Sequence, residues 1–155
     1  MKYAIIIFFF LTTIFSCKKE TILTIDCSKK TNKMEEVHQL MQGTYTWAYT
    51  RVYYQGTAPF FETPSSTGKN YKYYFDGNGN VNYYENSQLT SNDIYEIDYE
   101  FKLTTFPSDS NTIIIIKDRQ TGIRKSFFRP WLCNDSARFY NPYSSIDYQR
   151  YFKRN

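Results

Sequence analysis

The hydrophobic pattern of this chain changes period once, near Gly43. Before it, Met34, Val37, Leu40 and Met41 recur at helical spacing, which predicts a short helix up to about Met41. Thr31 or Asn32 would cap it, and Glu35 and Glu36 fall in its early turns, where the helix dipole favours acids. After Gly43 the period is two. Tyr45, Trp47, Tyr49 and Tyr53 alternate with Thr44, Thr46, Ala48, Thr50 and Val52, which predicts a long first strand. The clearest strand covers residues 94–103. Tyr95, Ile97, Tyr99, Phe101 and Leu103 point to one face, and Glu96, Asp98, Glu100 and Lys102 to the other, so one face is buried and one wet. The β-branched run from Ile113 to Ile116 reads as a strand covered on both faces. Residues 72–75 and 81–84 flank Asp76-Gly77-Asn78-Gly79-Asn80, whose Asp-Gly and Asn-Gly steps supply the positive φ that a tight hairpin needs. Residues 123–129, 136–140 and 148–152 complete about eight short antiparallel strands. The loop over residues 55–70 carries Phe60 and Phe61, which it must bury or present. There is no βαβ alternation and no internal repeat. The expected fold is all-β: a small antiparallel barrel, since closure removes exposed sheet edges, preceded by one short helix.

The N-terminus has a different character. Lys2 precedes an apolar run over residues 3–15, broken only by Thr12 and Thr13. That run is too short for a bilayer core of about 30 Å, which needs roughly 20 residues, and it fits the apolar region of an export signal. Ser16 and Cys17 follow. This stretch resembles the bacterial lipoprotein signal, in which cleavage precedes a lipid-modified Cys. Ile14 stands where Leu is usual and Phe15 where a small residue is usual, and the relaxed box resembles those of Bacteroidetes-type lipoproteins. The resemblance implies a signal peptide over residues 1–16, palmitate or related acylation at Cys17, a tether over residues 17–30, and a domain over residues 31–155. It places the chain in the bacterial cell envelope, at the outer membrane, with the membrane as a partner through the lipid. Two or more acyl chains hold a protein durably, at about 0.8 kcal/mol per buried CH₂. The alternative is an ordinary cleaved signal or an anchor helix, with Cys17 incidental.

Composition adds two constraints. The net charge of +4 falls to +3 once Lys2 is removed, too mild to indicate nucleic acid as a partner. Aromatic residues make up 20% of the chain, with 16 Tyr and 13 Phe, which suits the half-wet, half-apolar surfaces of a sheet without requiring a ligand. With Cys17 assigned to lipid, Cys27 and Cys133 remain. In an oxidising compartment such a pair suggests a disulfide. It would close a loop of about 100 residues, worth up to about 4–5 kcal/mol in the chain-entropy model. The alternative is two buried thiols.

Candidate chemistry is sparse. His38 is the only histidine, has no second metal-ligating partner, and reads as a surface or lid residue. The Asp76–Asn80 turn faintly resembles a calcium loop but lacks the glutamate and the flanking helices. There is no nucleophile triad, metal cluster or phosphate loop, and Glu96, Asp98 and Glu100 are the expected wet face of a strand. The chain therefore reads as a non-enzyme without metal or cofactor, and as a monomer.

At Gly43-Thr44-Tyr45-Thr46-Trp47 the chain resembles the lipocalin-like lipoproteins of Bacteroidetes. The resemblance continues through Phe75 and Gly79 of the hairpin and the Tyr- and Lys/Arg-rich stretch at residues 148–153. Here Trp47 stands four residues after the Gly rather than two. Asp135-Ser136-Ala137 also resembles an O-glycosylation site of those bacteria. An eight-stranded barrel holds either its own side chains or one small ligand. Tyr45, Trp47, Tyr95 and Tyr99 would line the interior, against a small hydrophobic ligand in one reading. In the other, the barrel is filled, and Phe60 and Phe61 or the C-terminal Tyr residues contact a protein or glycan.

Overall fold

The computed structural model describes residues 31, 33–99, 112–141, 144 and 146–155. The expected barrel is present. Helix α1 (Met34–Met41) precedes strands β1 (Gly43–Tyr53), β2 (Phe60–Glu62), β3 (Tyr71–Phe75), β4 (Asn80–Glu85) and β5 (Gln88–Tyr99). A four-residue helix, α2 (Pro64–Thr67), lies between β2 and β3. Strands β6 (Thr112–Lys117), β7 (Arg124–Leu132), β8 (Ser136–Tyr140) and β9 (Asp147–Arg154) follow. All pairings are antiparallel, and β1 pairs with β9 to close an eight-stranded barrel of β1 and β3–β9.

Strand β1 organises the closure. One of its edges runs along β9 from Tyr45 to Tyr53. Its other edge is divided, with Gly43–Thr46 pairing β3 and Thr50–Val52 pairing the short strand β2. The division coincides with a bulge at Ala48, where Trp47 faces Phe152 and Tyr49 faces Tyr151. A bulge adds one residue and increases the local twist. It also reverses the alternation expected from the sequence. Trp47 packs in the core, whereas Tyr49 stacks on Tyr151 (4.4 Å between ring centroids) and meets Phe61 on the outer side. Thr50 joins Trp47 on the inner face, and the indole Nε1 donates to Thr50 Oγ1 at 3.0 Å.

Strand β5 is longer than expected and begins at Gln88. The turn before it uses Asn86 (φ 50°) and Ser87 (φ 68°), both left-handed, so a two-residue hairpin forms without glycine. Farther along, Tyr95 and Ile97 face the core as expected, while Glu96 pairs with Lys117 at 2.6 Å. Residues 100–103 of that predicted strand lie outside the described residues. Ile113 to Ile116 are all buried. Strand β7 continues past Arg129 through Pro130 to Leu132.

Helix α1 covers one end of the barrel. Val37 and Met41 are fully buried in the same cluster as Tyr45, Phe75, Leu132 and Phe152. The Tyr45 hydroxyl donates to the Leu40 carbonyl. The cap differs from expectation. Lys33 occupies the N-cap position without a side-chain cap bond; Thr31, bridged to Leu132 by two backbone hydrogen bonds of 3.0 and 3.1 Å, accepts the Lys33 backbone N–H on its Oγ1 at 3.2 Å, and Asn32 lies outside the described residues. His38 is exposed.

Candidate binding cavity

Strands β7, β8 and β9 meet at the barrel end opposite α1. There a cavity of about 260 Å³ opens on the inner face beside the β8–β9 connection. Phe128, Phe139 and Phe152 form its apolar wall, and Tyr73, Ser126, Tyr148 and Arg150 bring polar groups to it. Alternation explains the grouping. Phe139 on β8 faces Arg150 on β9, and Ala137 faces Phe152, so Arg150 and Phe152 share the inward side of β9. Phe139 packs against Phe128 at 4.4 Å and Phe152 at 4.9 Å between ring centroids. Those three rings separate the cavity from the core around Tyr45.

The residues expected to line the interior lie elsewhere in it. Tyr45 and Tyr95 are buried toward the helix-covered end, whereas Trp47 is buried farther along β1, opposite Phe152. Phe75 stands edge-on to Tyr45 (5.8 Å, 82°) and to Tyr95 (5.1 Å, 89°), and Trp47 lies against Tyr71 at 4.9 Å. Tyr99, half-buried, ends β5 opposite Thr112. None of the four borders the cavity. The signal that could have located it is the alternation Tyr148-x-Arg150-x-Phe152, which sets one cation between two rings on one strand face.

The electrostatics of the cavity centre on Arg150. Burial pushes the Tyr73 hydroxyl above its ordinary range, and the adjacent Arg150 guanidinium pulls it partly back. Burial likewise raises Tyr83, whose ring lies 5.0 Å from that of Tyr73. Tyr148 is raised chiefly by its hydrogen bond with Tyr54, again with Arg150 opposing. No carboxylate is among the described residues lining the cavity.

A second hollow, of about 450 Å³, lies on the outer face among Tyr74, Asn80, Asn82, Asn92 and Arg119. Its polar groups bind one another: Asn92 Nδ2 donates to Asn82 Oδ1 at 2.7 Å, and Arg119 donates to Asn80 Oδ1 at 2.8 Å. In the neighbouring turn Asp76 Oδ1 accepts from the backbone N–H of Asn78 (2.7 Å) and Asn80 (2.9 Å). That carboxylate is thus committed to its own turn, with its pKa lowered mainly by Asn80. Among the described residues no three His, Cys, Asp or Glu side chains come together as a metal site.

Cys17 and Cys27 lie outside the described residues, and with them the expected pairing of Cys27 with Cys133. Comparison with protein-family models, with curated proteins and with solved structures returned no match.

Proposed function

We propose that this chain is a lipid-anchored protein of the bacterial outer membrane, similar to lipocalins, whose barrel holds one small ligand at the end away from α1. The observation that carries the binding part is the cavity of about 260 Å³ walled by Phe128, Phe139 and Phe152. Aromatic walls with a few placed polar groups are the usual make-up of a ligand site. Binding is tested by NMR titration of the full chain with 4-phenylbutanol, a neutral single-ring probe. Local shifts at Ser126, Phe139 and Phe152 are expected. Ser126→Trp, which fills the space, should abolish them; shifts unaffected by that change, or no shifts at all, would reject the reading.

The anchoring part rests on the Ser16-Cys17 signal, with Cys27 paired to Cys133. Mass spectrometry of the mature N-terminus should find acyl mass on Cys17. A Cys17→Ser chain that still fractionates with membranes would count against the anchor.

A second reading has a specific observation behind it. Phe60 and Phe61 on β2 are 44% and 40% exposed, and Tyr54 stacks on Phe60. An aromatic patch of this kind suits contact with a protein or glycan of the envelope. Pull-down with residues 55–70 deleted tests it, and an unchanged set of partners would reject it.

A further inference from the structure

Taking the barrel cavity as a ligand site, we infer that its ligand is a small amphipathic anion. A carboxylate or phosphate would bind Arg150, and an apolar body would lie against Phe128, Phe139 and Phe152. The inference thus deepens the binding reading and depends on it.

Three observations carry it. First, Arg150 is the cationic residue among the described residues lining the cavity, none of which is an acid. Second, Arg150 forms no ion pair among the described residues, its side-chain hydrogen bond being with the neutral Tyr73 hydroxyl, whereas Lys33, Lys69, Lys117 and Lys125 each pair with a carboxylate. Other arginines are engaged as well: Arg119 donates to the Asp93 carbonyl, and Arg154 donates to the Gln42 carbonyl at 2.8 Å. Third, the neighbours of Arg150 suit an anion. Tyr73 and Ser126 bring hydroxyl groups to the same cavity, and a hydroxyl can donate to an anionic oxygen. A guanidinium offers a planar fork of N–H donors that matches carboxylate and phosphate oxygens. Arg150 is itself solvent-exposed, so it would meet the ligand at the open side of the cavity, where water partly screens its charge. The volume equals that of about nine water molecules, which suits a single-ring ligand better than a long acyl chain.

The test titrates the full chain by NMR with three probes: 4-phenylbutyrate, phenyl phosphate and the neutral 4-phenylbutanol. At least one anion should bind about tenfold or more tighter than the alcohol, the expected gain from a charge-assisted contact. Which anion binds tighter distinguishes carboxylate from phosphate. Added salt should narrow the gap between anion and alcohol. Arg150→Met should erase it while leaving the alcohol's affinity unchanged, and Arg150→Lys should retain part of it. Arg150→Gln replaces the Met variant if that one fails to give a native amide spectrum. Equal affinities for anion and alcohol on the native chain, or a gap that survives loss of Arg150, would overturn the inference and leave the cavity reading intact. Absence of binding by all three probes would bring down both.

Discussion

The bulge at Ala48 makes a quantitative prediction about β1. In an unbroken strand residues 47 and 50 fall on opposite faces, because side chains alternate. Here the bulge brings them together, and the Trp47 indole donates to Thr50 Oγ1 at 3.0 Å with both residues almost fully buried. Trp47→Phe removes the donor and leaves the Thr50 oxygen without it, at a cost of about 1–3 kcal/mol, with a further loss from the smaller ring. Thr50→Val keeps the volume and strands the indole N–H, again costing about 1–3 kcal/mol. The double variant removes both partners together. It should therefore be more stable than the sum of the single losses predicts, with a coupling of about 1 kcal/mol. Urea unfolding followed by circular dichroism measures this. With a slope of about 2 kcal/mol/M, a 2 kcal/mol loss lowers the midpoint by about 1 M. Single losses that add to within about 0.3 kcal/mol would show that the two side chains do not meet, and the reversal of faces at Ala48 would be refuted.

Other predictions concern the turns. Ser87→Gly should stabilise the chain by up to about 1 kcal/mol, because Ser87 holds a left-handed conformation (φ 68°) that glycine adopts without strain; a lower melting temperature for this variant would contradict the β4–β5 turn. Asp118 accepts from the backbone N–H of Gln120 and Thr121 and pairs with Lys125 at 2.9 Å, and Lys125 foremost holds its carboxyl well below the usual carboxylate range. A lowered folded pKa contributes stability that is present above the unfolded value, about 3.9, and lost as pH falls through the folded one. Acid titration of stability should thus be shallower in Asp118→Asn than in the native chain, and identical acid limbs would reject this role. Burial raises the Tyr45 hydroxyl to about 12, so stability should fall as pH climbs from 10 toward that value, and Tyr45→Phe should remove that part of the alkaline loss.

Much of the architecture could be read from local pattern because its causes are local. The Asp-Gly-Asn-Gly turn, the 3.6-residue spacing of Val37 and Met41, and the alternation through Tyr95 and Ile97 each act within a few residues. The β4–β5 hairpin was less visible, since Asn86 and Ser87 bear no glycine and become left-handed only in the paired sheet. The bulge left no mark in the sequence either. Its reason is non-local, in that β1 must follow β9 along one edge while leaving β3 for β2 on the other.

The same division holds for the site. Residue order settles that Tyr148, Arg150 and Phe152 share a strand face, and that Tyr45 and Trp47 point inward together. Which end of the barrel stays open is a matter of packing between distant segments. Val37 and Met41 of α1 occupy the end around Tyr45 and Tyr95, filling the place where a ligand was expected. Among the described residues, space remains where Phe128, Phe139 and Phe152 meet. These rings come from three strands, and their convergence depends on barrel closure, which no short stretch of sequence encodes.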